Sequence, residues 1–197
     1  MYRKGLKREF YTRKAREEGY PARSVYKLKE IDEKFHIFKM GDHVLDLGCA
    51  PGSWLLYVAQ KVGENGKVVG IDREDIKIKK EDNIVFIKRD IFYFKNSEID
   101  AFLKKYQVVI SDLAPSTSGI KIIDSERSLE LSEKALEIAK KVLLPRGNFV
   151  CKIFEGRESE KFFKKVEENF GFTKIFRPKA VFKGSKEIFI VAKNFKK

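Results

Sequence analysis

Asp46-Leu47-Gly48-Cys49-Ala50-Pro51-Gly52-Ser53-Trp54 (DLGCAPGSW) is the stretch whose reading decides the fold. An apolar run, His43 to Leu47, leads into it and reads as a buried strand ending near Asp46. Gly48 and Gly52 allow a tight turn with the backbone close to a ligand, and an apolar-faced helix starts at Ser53 and runs to Val62. Such a strand-to-helix turn places backbone N–H groups and a helix N-terminus against a bound nucleotide. The pattern is GxxxG with Pro51 inside it, not GxGxxG, so a dinucleotide pyrophosphate cradle is a poor match.

Working outward, further strands are expected at Lys67 to Ile71, Ile84 to Ile87, Gln107 to Ser111 and Gly147 to Lys152. Helices are expected at Ser125 to Leu143, stopped by Pro145, and at Glu158 to Asn169, closed near Gly171. Thr173 to Arg177 and Glu187 to Ala192 follow each other with only a loop between, which predicts an antiparallel pair at the sheet's end. Residues 1–40 read as one or two basic helices before the first strand. This alternation predicts an α/β fold, a doubly wound and mostly parallel sheet in one domain over 1–197, with ligands at the carboxyl ends of its strands.

The 43% hydrophobic content, with 17 Phe, suffices for the core of such a domain. No apolar run is long enough to span a membrane, and the N-terminus lacks the apolar centre of a secretory signal, so a cytoplasmic protein with no membrane partner is expected. Cys49 and Cys151 stand alone, which suggests two ordinary buried thiols and no metal site.

The net charge of +13 sits at the ends. Residues 1–40 carry 12 Lys/Arg against 6 Asp/Glu and residues 171–197 carry 8 against 1, while residues 41–170 balance at 22 against 22. Segregated positive charge is what a polyanion-binding face requires. The Lys-, Glu- and Ile-rich, Gln-poor composition also fits a heat-adapted surface. Arg3, Lys4, Lys7, Arg8, Arg13, Lys14 and Arg16 alternate with Phe10, Tyr11 and Tyr20, which offers phosphate contacts with stacking, or a solvated helix with buried aromatics.

Acids recur at the strand ends. Besides Asp46, Asp72 closes the second strand in VVGID, placed to accept from both ribose hydroxyls of a nucleoside, and Asp90 in FIKRDIF ends the third, placed to meet an adenine amino group. Asp112 ends VVISD ahead of the Pro- and Gly-containing loop LAPSTSG. Lys152 ends the apolar run NFVCK, where a buried strand meets the expected crevice.

These motifs resemble the FtsJ/RrmJ family of ribose 2'-O-methyltransferases from about Tyr20 to Val191. The family's DLGxAPGGW loop is similar to Asp46–Trp54, with Ser53 in place of the second glycine. The resemblance implies a Rossmann-like methyltransferase fold with S-adenosyl-L-methionine as cofactor. It implies cofactor contacts at Gly52, Trp54, Asp72, Asp90 and Asp112; the loop positions Asp46, Gly48 and Ser53 join them as candidates. It also implies a catalytic tetrad of Lys27, Asp112, Lys152 and Glu187, within ARSVYKLKEID, VVISD, NFVCK and GSKEIFIVA. In that tetrad Lys152 is expected to accept the proton of a ribose hydroxyl, helped by the like charge of Lys27, while Asp112 and Glu187 hold the lysines and the ribose. An alternative role for Lys152 is to orient the hydroxyl while the proton leaves to water.

One departure concerns the substrate side. After Arg177 and Pro178 the family commonly carries Ala-Ser-Arg ahead of Ser and Glu, whereas this chain reads AVFKGSKE, with Val181 and Phe182 at the Ser and Arg positions and Lys183 and Lys186 nearby. The implied target is a uridine ribose in large-subunit ribosomal RNA, with the short chain favouring a preassembled large ribosomal subunit; a monomer is the default expectation. The tRNA anticodon loop is the alternative. A non-catalytic RNA-binding module would show damage to the tetrad or the loop, and an NAD-dependent oxidoreductase is disfavoured by Pro51 and the basic ends.

Overall fold

The computed structural model describes residues 2–79, 81–93, 106–116 and 118–196, with side chains described from Glu9 onward. Two helices, α1 (Tyr2–Glu17) and α2 (Val25–Phe35), precede the strand-turn-helix unit of β1 (His43–Leu47) and α3 (Ser53–Val62). Next come β2 (Lys67–Asp72), β3 (Ile84–Lys88), a short 3-10 turn at Ile91–Tyr93 and β4 (Tyr106–Ser111). Helix α4 (Lys121–Val142), β5 (Leu143–Phe154), α5 (Arg157–Asn169), β6 (Phe170–Phe176) and β7 (Glu187–Phe195) complete the chain.

Among the described residues seven strands form one sheet in the order β3-β2-β1-β4-β5-β7-β6. β3, β2, β1, β4 and β5 are parallel; β7 runs antiparallel between β5 and β6. The chain moves from β1 to β2 on one side and returns to β4 on the other, so the carboxyl ends of β1 and β4 flank the crevice where such sheets bind ligands.

The parallel strands are apolar on both faces because helices cover both. Val44, Val68, Val108, Ile110, Val150 and Phe189 pack with α2 and α3. Leu45, Leu47, Val69, Ile71, Val109, Phe149 and Ile153 pack with α4 and α5. Asp46 pairs in register with Ile110, and Ile110 with Val150. With a side-chain period of two, Asp112 and Lys152 therefore belong to the α2/α3 face with Asp46.

Some boundaries differ from the sequence reading. β1 is not among them: it covers His43–Leu47, the whole of its predicted run. Helix α4 starts a turn before Ser125, where the Asp124 carboxylate in its first turn accepts the N–H (2.7 Å) and the hydroxyl (2.9 Å) of Ser118 and complements the positive helix end. Lys152 does not terminate its strand. β7 supplies partners beyond it, Ile153 to Ile188 and Phe154 to Glu187, and carries β5 on to Phe154. Asp90 lies two residues beyond β3 rather than at its end. Both cysteines are buried and unbridged.

The N-terminal aromatics divide between the two readings offered for them. Tyr20 is buried and donates its hydroxyl to Gln60 Oε1 at 3.0 Å. Tyr11 is half-buried against Tyr26, their ring centroids 5.1 Å apart, whereas Phe10 stays exposed. Arg13 and Lys14 form exposed pairs with Glu17 and Glu18 one turn on. The side chains of Arg3, Lys4, Lys7 and Arg8 lie outside the described residues.

Candidate active site

The glycine turn carries two left-handed positions. Gly48 has φ +79°, and a Cβ there would stand 2.9 Å from Leu113 Cδ2 and 3.0 Å from the Leu113 backbone nitrogen. Gly52 has φ +109°, with Ile78 Cγ2 2.6 Å from its would-be Cβ. Both sites combine a conformation that L-residues resist with a lack of room for a side chain. The turn is thereby drawn against the segment that follows β4 and against residues 73–79, where the Lys77 N–H donates to the Pro51 carbonyl at 2.8 Å.

The acids expected around the turn differ in their engagements. Asp72 accepts the Ala50 N–H at 2.8 Å and the Glu74 N–H at 2.9 Å. Asp90 accepts the Phe92 N–H at 2.9 Å and lines a cavity of about 300 Å³ with Ile91, Leu113 and Pro115. Asp46 is fully buried, and neither of its carboxylate oxygens has a hydrogen-bond partner among the described residues. Burial, and then the charges of Asp112 and Asp72, hold its pKa well above the usual carboxylate value.

A sulfonium cofactor bearing an ammonium group, a ribose diol and an adenine amine fits this donor set. An orphaned buried acid beneath a turn without side chains, a half-buried acid at the end of β2 and an acid on a nearby cavity wall match those groups in kind.

Ser53 and Trp54 hold a neighbouring segment in place. The Ser53 hydroxyl accepts the Ala22 N–H at 2.7 Å, and the Trp54 indole N–H donates to the Ser24 carbonyl at 3.0 Å. Trp54 is buried, its ring 6.1 Å from that of Phe189. The first turn of α3 thus fixes residues 22–24 and with them the start of α2, which carries Lys27.

The four tetrad positions, spread over 160 residues of sequence, meet at the end of β4. Lys152 is 4% exposed, and its Nζ donates to the Asp112 carbonyl at 2.6 Å and lies 2.9 Å from Asp112 Oδ1. Lys27 Nζ lies 2.7 Å from Glu187 Oε2. Burial acts to depress the Lys27 pKa, but Asp112 and Glu187 together outweigh it and hold it above the usual lysine value. For Asp112 burial acts upward, and Lys152 and Lys27 overcome it to leave the carboxyl below its usual value. Asp112 therefore feels both lysines, which joins the two ion pairs into one cluster of alternating charge.

Two features escaped the sequence reading. Glu30, on α2, accepts the backbone N–H groups of Lys179 (2.6 Å) and Ala180 (2.8 Å) and ties the loop before β7 to the N-terminal helices. The Arg23 guanidinium lies 3.7 Å from the centroid of the Phe182 ring, one of the positions where the chain departs from the family pattern. Neither carries a local sequence signal, since each is one charged residue among many and its partner is about 150 positions away.

The FtsJ-like methyltransferase model matches residues 20–195. The chain is 48% identical over 183 residues to ribosomal RNA large subunit methyltransferase E of Desulforapulum autotrophicum, covering 93% of this chain and 90% of that protein. It is 45% identical over 188 residues to the protein of the same name from Desulfatibacillum aliphaticivorans, covering 95% and 91%. Among solved structures it resembles a Plasmodium falciparum protein provisionally assigned as a ribosomal RNA methyltransferase, with a TM-score of 0.79 and 27% identity over 89% of this chain and 98% of that one. A match over nearly the whole chain, on the glycine turn and crevice described above, shows that this methyltransferase belongs to the FtsJ-like family.

Proposed function

We propose that the crevice transfers a methyl group from S-adenosylmethionine to the 2'-hydroxyl of a uridine in large-subunit ribosomal RNA. The observation that carries this reading is the convergence of Lys152–Asp112 and Lys27–Glu187 beside the glycine turn. The names of the bacterial relatives support the choice of RNA.

When bound, the cofactor supplies an electrophilic methyl group on a positively charged sulfur. Asp46, Gly48, Gly52, Asp72, Asp90 and Asp112 are the residues that would hold it, together with the first turn of α3 at Ser53 and Trp54.

The chain's own residues position the hydroxyl and move its proton. Lys152, in its neutral form, would accept at Nζ the proton that the ribose hydroxyl gives up when it takes the methyl group. Asp112, whose carboxyl burial pushes upward but Lys152 and Lys27 hold below its usual value, stabilises the ammonium formed on Lys152. Lys27 stays cationic, and Glu187 fixes it at the rim. Burial of Lys152 keeps water from competing for the position of the hydroxyl.

The test is transfer of labelled methyl to assembled large subunits, free ribosomal RNA and tRNA, with mapping of the modified nucleotide. Ribose label on a large-subunit uridine is expected, and Lys152→Ala is expected to lower the rate by about 10²- to 10⁴-fold with cofactor binding retained. Label on a base, label on tRNA alone, or a fully active Lys152→Ala protein would refute the assignment.

A further inference from the structure

Beside the Lys27–Glu187 pair opens a second cavity, of about 180 Å³, separate from the one at Asp90. Its walls include Arg23, Ser24, Phe182 and Ser185, with Lys27 and Glu187 also lining it. We infer that this cavity is the seat of the target base, a single pyrimidine ring swung out of the RNA and packed against Arg23 and Phe182. The inference rests on the methyl-transfer reading above and adds to it the residues that recognise the nucleotide.

Both walls are held rigidly, from different directions. Residues 22–24 are fixed by Ser53 and Trp54 on α3. The opposite wall, residues 178–185, is folded by two turns, Val181 N–H to Pro178 O and Ser185 N–H to Phe182 O, both 3.0 Å. It is anchored by Glu30 to the N–H groups of Lys179 and Ala180, and by Arg177, which donates to the Ser185 carbonyl and to Glu155 Oε2. Arg23 and Phe182 meet between these two anchored segments as a preformed platform.

The chemistry matches a base and its ribose. Guanidinium and phenyl planes are the surfaces on which unstacked RNA bases settle, and they tolerate any base, so discrimination falls to size and edge contacts. The cavity is well below the roughly 300–1,000 Å³ typical of sites for drug-sized ligands, which suits one ring rather than a whole nucleoside cofactor. Lys27 and Glu187 place the ribose of a seated nucleotide at the tetrad. The Phe182 position is where family members commonly carry arginine, so in this chain a ring takes over a wall at which charge is the usual choice.

The test uses the full-length protein with the RNA that it methylates. Phe182→Ala is expected to raise the KM for RNA roughly 10- to 100-fold, as when one base loses its stacking partner. The KM for cofactor and the Tm should remain unchanged, Phe182→Tyr should restore the wild-type value, and Lys183→Ala, outside the cavity, should change KM much less. RNA carrying 5-iodouridine at the methylated position should crosslink on irradiation to Phe182, and RNA carrying it one nucleotide away should not. Should Phe182→Ala lower the Tm, Arg23→Gln and the crosslink decide. A wild-type protein that labels no ribose defeats the functional reading itself. A protein that labels ribose, yet shows an unchanged KM in both variants or a crosslink outside residues 22–24 and 180–187, overturns the base seat alone.

Discussion

Gly48→Ala separates what the glycine turn does for stability from what it does for catalysis. At φ +79° an L-residue is disfavoured by about 1–2 kcal/mol. In a chain of this size, where each kcal/mol shifts Tm by about 2–4 °C, that strain alone lowers it by about 2–8 °C. The second effect is steric. The added Cβ would stand 2.9 Å from Leu113 Cδ2 and 3.0 Å from the Leu113 backbone nitrogen. The side chain can swing away, but the backbone nitrogen can retreat only with the peptide to which it belongs, and the oxygen of that peptide is the Asp112 carbonyl that holds Lys152 at 2.6 Å. Restoring ordinary contact, at about 3.5 Å or beyond, requires a retreat of roughly half an ångström. A displacement of that size at the proposed proton acceptor is expected to lower kcat about tenfold.

Gly41→Ala is the matched control. Gly41 has φ +80° and nothing within 4 Å of its would-be Cβ, and it precedes β1 at the opposite end of the sheet. The two variants should lose similar Tm in calorimetry. Single-turnover methyl transfer at saturating cofactor, well below either Tm, should slow only in Gly48→Ala. Equal single-turnover rates in the two variants would show that Gly48 serves backbone conformation alone and that the spacing between the turn and Leu113 does not set the position of Lys152.

Two further outcomes follow from the charges. Asp46 has a raised pKa, so its ionisation in the folded protein is unfavourable, and it lowers stability as pH rises above the usual carboxylate value of 3.8. Asp46→Asn should accordingly raise the Tm of the ligand-free protein, more at pH 8 than at pH 4, while weakening S-adenosylmethionine binding in calorimetric titration. Lys27 has a raised pKa, so its contribution is fully present below the ordinary lysine value of 10.5 and is lost as pH climbs through the folded-state value; denaturant titrations above that pH should show a steeper loss of stability for wild type than for Lys27→Met.

How far the sequence discloses such a site depends on how local its physics is. The β1 turn and α3 were legible because an apolar run, two glycines and an amphipathic stretch are adjacent, and both positive-φ positions fall where the turn needs them. Asp72 was legible because it closes a buried strand. The pairing of Lys27 with Glu187 has no local signature: it depends on β7 entering the sheet antiparallel beside β5 and on α2 packing over that face, and only the family resemblance singled out those two residues.

Lys152 shows why a residue singled out from sequence can take up a geometry other than the expected one. A strand of a parallel sheet is expected to end where its parallel neighbour ends, and β4 does stop at Ser111, opposite Cys151. β7 then continues to pair with β5 as far as Phe154, so Lys152 lies within a strand and reaches sideways across the place where β4 has already stopped. That lateral reach puts Nζ on the Asp112 carbonyl, and it makes the position of the amine depend on the backbone after β4. It is for this reason that a glycine on β1's turn, which bears on Leu113 and makes no contact with the lysine, is expected to govern the rate.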